Sequence, residues 1–153
     1  SPFFGVPVNL HFGTVGTNTG IKSAGYWLRE HADKNAVIFS DHEQFVGEYY
    51  LGRRVVGSLD LFLEVEVISD YESALNKSVI DYVYLRENNW RALKQRIIAD
   101  GFSPIVLIMR NNDLLGIIYS KKVQKPFIID TEKFDDLFDK KYANINSLFV
   151  DYS

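Results

Sequence analysis

The stretch Gly20-Ile-Lys-Ser-Ala-Gly-Tyr-Trp-Leu-Arg-Glu-His-Ala-Asp-Lys-Asn-Ala-Val-Ile-Phe-Ser-Asp41 decides the fold class. Ile21, Ala24, Leu28 and Ala32 recur at three- and four-residue spacing, Trp27 widens the stripe, and Lys22, Arg29 and Glu30 fall outside it. That periodicity predicts an amphipathic helix over Gly20 to His31, ended by Asp33-Lys34-Asn35. Ala36-Val-Ile-Phe-Ser40 is continuous and apolar, as expected of a strand covered on both faces, and such strands belong to parallel sheets with crossover helices.

Upstream, Val8, Leu10 and Phe12 alternate with polar residues and suggest a short strand, followed by the glycine-rich Gly13-Thr-Val-Gly-Thr-Asn-Thr-Gly20. Asn18 or Thr19 can cap the helix there. Downstream, Glu43 to Leu51 reads as a helix stopped by Gly52, and Arg53 to Val56 as a strand. Ser58 to Ile68 carries both periods, and its second half, where Leu63, Val65 and Val67 alternate with Glu64 and Glu66, leans towards strand. Asp70 is then the cap of a short helix through Asn76.

Ile80-Asp-Tyr-Val-Tyr-Leu85 is rich in β-branched and aromatic residues and predicts a strand. A helix capped by Asn88 or Asn89 follows, with Trp90, Leu93, Ile97 and Ile98 as its stripe and Gly101 as its stop. Pro104 to Arg110 and Leu114 to Ser120 flank Asn111-Asn112-Asp113 as a β-hairpin. After the basic turn Lys121 to Lys125 come a strand, Phe127 to Ile129, and a helix capped by Asp130 or Thr131 with Phe134, Leu137 and Phe138 inward. Leu148 to Tyr152 closes as a strand. The expected architecture is a layered, Rossmann-like α/β domain with a mixed sheet, mostly parallel, bearing an antiparallel hairpin edge. Residues 1–153 form one such domain, and the start Ser-Pro-Phe-Phe without an initiator Met points to a piece of something longer.

Composition narrows the function. Hydrophobic residues make up 46% and charged ones 24%, enough for a core. A net charge of −3 with 17 basic and 20 acidic residues leaves no basic footprint for nucleic acid. The longest apolar run, Ile105 to Met109, is far too short to span a bilayer. With no Cys, with His11, His31 and His42 scattered, and with no G-x-S-x-G elbow, neither a metal site nor a nucleophilic hydrolase is indicated, and no cofactor is called for.

Two places could bind a ligand. The glycine loop before the first helix, with Asp41 about 20 positions on, has the order of a dinucleotide site, although its spacing is G-x-x-G-x-x-x-G, and it equally suits an entry loop with a cap. Asp41, His42 and Glu43, followed by Glu48, Tyr49 and Tyr50, gather carboxylates, an imidazole and phenols after a strand's carboxyl end, where open α/β sheets bind ligands. The same residues also serve as helix caps, dipole partners and core aromatics.

The stretch 20–41 resembles the start of the soluble tail domain of polytopic membrane glycosyltransferases that use polyprenyl-phosphate sugars, similar to the dolichyl-phosphate-mannose protein mannosyltransferases. Glu48-Tyr-Tyr-Leu-Gly-Arg53 and Ile80-Asp-Tyr-Val-Tyr-Leu85 are similar to that family's Tyr-Gly-Arg turn and Asp-Tyr-Val strand. The resemblance implies a non-catalytic domain on the extracytoplasmic side of a membrane. Its partners would be the transmembrane part of the same chain and a glycan or protein acceptor. The family's catalytic carboxylates lie in a loop between membrane spans, so none carries over. Asp41, His42, Glu43, Glu48 and Tyr49 would be the working surface for acceptor or sugar. Without the resemblance, the residues leave open a nucleotide-binding protein using the 13–20 loop, or a protein-interaction domain without a small ligand.

Overall fold

The structure is a computed structural model that describes residues 20–57, 63–87 and 90–142. The expected strands at Val8–Phe12 and Leu148–Tyr152, the glycine loop up to Thr19, the start of the Ser58–Ile68 segment, and the Asn88 and Asn89 caps lie outside those residues.

Among the described residues six strands form one sheet: β1 (Val37–Ser40), β2 (Arg54–Val56), β3 (Tyr82–Arg86), β4 (Ser103–Arg110), β5 (Asp113–Ser120) and β6 (Phe127–Asp130), in the order β2-β1-β3-β5-β4-β6. The pairs β1/β2, β1/β3 and β4/β6 are parallel, whereas β5 runs antiparallel to both β3 and β4. The fold is thus α/β with a mixed, mostly parallel sheet. Its antiparallel hairpin turns at Asn111, whose φ of 56° places it in the left-handed region that Asn tolerates.

Helices cover both faces. Helices α1 (Ile21–His31), α2 (Gln44–Leu51) and α5 (Thr131–Tyr142) pack over one face, around Ile38, Tyr84, Val106 and Ile118. Helices α3 (Glu64–Lys77) and α4 (Arg91–Ala99) cover the other, around Phe39, Val83, Leu85 and Ile117. The alternation of Phe39 against Ile38, and of Val83 against Tyr84, follows from successive strand side chains pointing to opposite faces. Among the described residues no helix is long and apolar enough to cross a membrane.

The stripe of α1 is buried as its spacing dictates, with Ile21, Ala24, Trp27 and Leu28 in the core. Its expected outer face is not wholly solvated. Arg29 is half-buried between α2 and α5, donating to the carbonyls of Tyr49 and Tyr50 at 2.9 and 3.2 Å while its guanidinium lies 4.7 Å from the centre of the Tyr142 ring. The N-cap is Gly20, at φ 73° and without a capping side chain. Asp135 of α5 does that work from across the interface, accepting from Ser23 Oγ at 2.7 Å and from the Ser23 backbone. At the other end Arg53, from the Tyr-Leu-Gly-Arg turn, donates to the carbonyls of Ala32 and Asp33, both at 2.8 Å, so the last turn of α1 is capped by a side chain 20 residues on.

One expected element is overturned. Residues 64–68 belong to α3, which runs from Glu64 to Lys77, so Asp70 lies inside the helix, whose N-cap is Leu63. The alternation that favoured a strand is misleading because Leu63 and Val65 are exposed, and the true inward row is Val67, Tyr71 and Ala74 at helical spacing. Glu66 accepts from the Leu63 backbone N–H at 3.3 Å and so helps close the first turn. In α4 the stripe narrows to Leu93 and Ile97, and Ile98 is exposed.

Candidate functional site

β1 leads through α2 to β2 on one side, and β3 leads through α4 to β4 on the other, with α2 and α4 on opposite faces. The carboxyl ends of the neighbouring strands β1 and β3 are therefore a topological switch point, where open α/β sheets form their ligand crevice. Asp41 follows β1 directly and Arg86 ends β3.

Asp41 is buried and saturated. Its Oδ1 accepts from the Arg86 backbone N–H at 3.0 Å and its Oδ2 from Trp90 Nε1 at 2.9 Å. Its carbonyl accepts from Arg86 Nη2 at 2.8 Å, and Arg86 Nε lies 3.6 Å from Oδ1. The carboxylate thus latches the end of β1 to the end of β3 and to the entry of α4. The Arg86 charge, set against the Asp41 carboxylate, is what makes burial of Asp41 tolerable.

His42 is 3% exposed and stacks on Tyr84 with ring centroids 5.5 Å apart and planes 7° from parallel. Gly116 on β5 leaves the space for Tyr84, since a Cβ there would sit 2.9 Å from the tyrosine ring. Burial pushes the Tyr84 hydroxyl well above the usual phenol range, and burial together with the Arg86 charge holds the His42 imidazole well below its usual range, so both groups are neutral at pH 7. Among the described residues His42 Nε2 and Arg86 Nε are buried with no hydrogen-bond partner, an exception among buried polar atoms.

The other expected site residues play local parts. Glu43 is the N-cap of α2, its Oε1 accepting from Phe45 N–H at 2.9 Å. Glu48 Oε2 accepts from Val55 N–H at 3.1 Å, joining α2 to β2. Tyr49 meets Tyr50 edge-on, with Tyr50 in the core. So Asp41 and His42 share the crevice, while Glu43, Glu48 and Tyr49 belong to the packing of α2. The residues that complete the crevice, Tyr84, Arg86 and Trp90, come from the far end of the Ile80–Leu85 strand and the start of the next helix. Only register connects them to Asp41. Among the described residues no three His, Asp and Glu side chains converge to hold a metal ion.

His42 gives the site a measurable pH signature. Its folded-state pKa is depressed, so on acidification the unfolded chain takes up a proton near pH 6.5 that the folded chain refuses. Stability from this group is present above about pH 6.5 and is lost below it, with a slope of up to about 1.4 kcal/mol per pH unit. Asp135, whose carboxyl burial raises, acts in the opposite sense: it favours folding below the usual carboxylate range and loses that contribution as pH rises through its folded value. Urea titrations between pH 4 and 8, a range of about four units around the histidine value, should show His42→Gln flattening the acid slope and leaving the Asp135 trend in place.

No protein-family model matches the chain, and no curated protein or solved structure shows significant similarity to it.

Proposed function

We propose that this chain is a non-catalytic extracytoplasmic domain of a membrane-bound glycosyltransferase using a polyprenyl-phosphate sugar donor, with the crevice between β1 and β3 as its surface for acceptor or sugar. The observation that carries the reading is the engagement of the cluster's carboxylates. Asp41 gives both oxygens to Arg86 and Trp90, Glu43 accepts from Phe45, and Glu48 accepts from Val55. Transfer to a hydroxyl acceptor needs a carboxylate or imidazole base within reach of the proton it removes. Here the carboxylates hold secondary structure together, and the imidazole is buried against Tyr84. What the crevice presents instead is the part-exposed Arg86 guanidinium and the half-buried Trp90 indole, a cationic donor beside an aromatic face, which suits a hydroxyl- or phosphate-bearing ligand. The helix-strand unit that carries the resemblance supplies β1, whose carboxyl end is one wall of the crevice, whereas the Gly52-Arg53 turn binds the Ala32 and Asp33 carbonyls at the other end of the sheet.

The reading is tested with chain 1–153 alone, given polyprenyl-phosphate mannose and a Ser/Thr-rich acceptor peptide. No sugar transfer is expected, while amide resonances of Arg86 and Trp90 shift on titration with the peptide or with a free mannoside. Turnover by the isolated chain would contradict the non-catalytic assignment. Shifts confined to the opposite end of the sheet would contradict the placement of the binding surface.

A further inference from the structure

The end of the sheet opposite the crevice has its own chemistry. The β5–β6 connection leaves the carboxyl end of the antiparallel strand and enters β6 at its amino end, so it lies with the α1–β1 and α3–β3 connections. From Lys121 through Ile128, Lys-Lys-Val-Gln-Lys-Pro-Phe-Ile, eight consecutive residues are exposed. Val123 is 96% exposed, Phe127 58% and Ile128 73%, so three apolar side chains stand in water within this one run. Lys121 and Lys122 line a groove of about 520 Å³ with Asn35, Ala36 and the exposed Val79, and Asn35 and Ala36 continue into a second groove lined by Lys34 and Arg54. The surface is therefore continuous across three connections.

Charge is segregated there as well. In residues 33–36, 52–54, 77–81, 100–102 and 121–126 the exposed cations are Lys34, Arg54, Lys77, Lys121, Lys122 and Lys125, and the exposed carboxylates are Asp33 and Asp81. This end is basic in a chain whose net charge is −3. Lysines interleaved with exposed Val and Phe suit a boundary between charge and hydrocarbon: apolar side chains enter it while the ammonium groups stay with the anionic headgroups. A soluble polyanion would use the lysines and leave Val123 and Phe127 in water.

We propose that this end of the domain docks on a bilayer surface bearing anionic lipid headgroups, with Val123 and Phe127 at the headgroup boundary and Lys121, Lys122 and Lys125 against the lipid phosphates. Docking this way turns the Asp41–Arg86 crevice away from the bilayer. It requires only the surface described and stands apart from the glycosyltransferase assignment.

Vesicle flotation of chain 1–153 tests it, comparing phosphatidylcholine alone with phosphatidylcholine mixed with phosphatidylglycerol, neither containing a polyprenyl lipid. Binding is expected to the mixed vesicles only. K121Q/K122Q/K125Q should weaken it by about a hundredfold, at about fivefold per lysine. V123S/F127S should weaken it too, with thermal melts unchanged because these side chains are exposed. No binding to the mixed vesicles overturns the proposal. So does binding that survives V123S/F127S intact, which would mark a purely electrostatic surface for a soluble polyanion, with heparin retention as the matching readout. Failure here leaves the crevice assignment standing, and failure of the acceptor titration leaves the docking result standing.

Discussion

Asp41→Ala is expected to destabilise the domain by about 3 to 4 kcal/mol, measured by urea unfolding at pH 7. The substitution strips Trp90 Nε1 and the Arg86 backbone N–H of their acceptor and leaves the Arg86 guanidinium without its carboxylate. Arg86 is part-exposed, so water recovers some of that loss, which sets the figure in the lower part of the range for broken buried pairs. Asp41→Asn, which keeps one acceptor oxygen, should cost less. Equal and small losses for both variants would mean that Asp41 is no latch, and the switch-point crevice would lose its main organising contact.

Gly25→Ala should destabilise by about 2 to 3 kcal/mol, although alanine is the better helix former by about 1 kcal/mol. A Cβ at this position would stand 2.2 Å from the Tyr50 carbonyl oxygen and 3.2 Å from the Phe138 ring, where α1 meets α2 and α5. The first obstacle is backbone, so no rotamer change relieves it, and α2 must move off α1. Because α2 begins two residues after His42, its displacement should carry into the crevice. Propensity and packing predict opposite signs, so a stabilised Gly25→Ala would show that the α1–α2 approach is looser than described.

How far the sequence went depends on the range of the forces involved. The α1 stripe, the buried β1 run and the 103–120 hairpin were legible because each element writes its own period and its own stop. The segment 64–68 was not, since two exposed apolar residues, Leu63 and Val65, happened to complete an alternating pattern whose helical partners, Tyr71 and Ala74, lay further on. At the crevice, Asp41 and His42 were legible from their place after a strand. Tyr84, Arg86 and Trp90 were not, because the parallel register of β1 and β3, which sets Ser40 beside Tyr84, is a long-range outcome. Glu43 and Glu48 satisfy backbone N–H groups, and in sequence such carboxylates look like carboxylates that do chemistry. Arg29 and Arg53, expected or passed over as surface charges, each bind backbone carbonyls of a neighbouring element.

The proposed function sets this domain beside a catalytic membrane unit in one chain. The most direct measurement is the coding sequence upstream of Ser1 in the same frame. A block of consecutive membrane-spanning segments, with acidic residues in a loop between two of them, is the result predicted. A frame that opens just before Ser1, or that encodes only further water-soluble sequence, would contradict it.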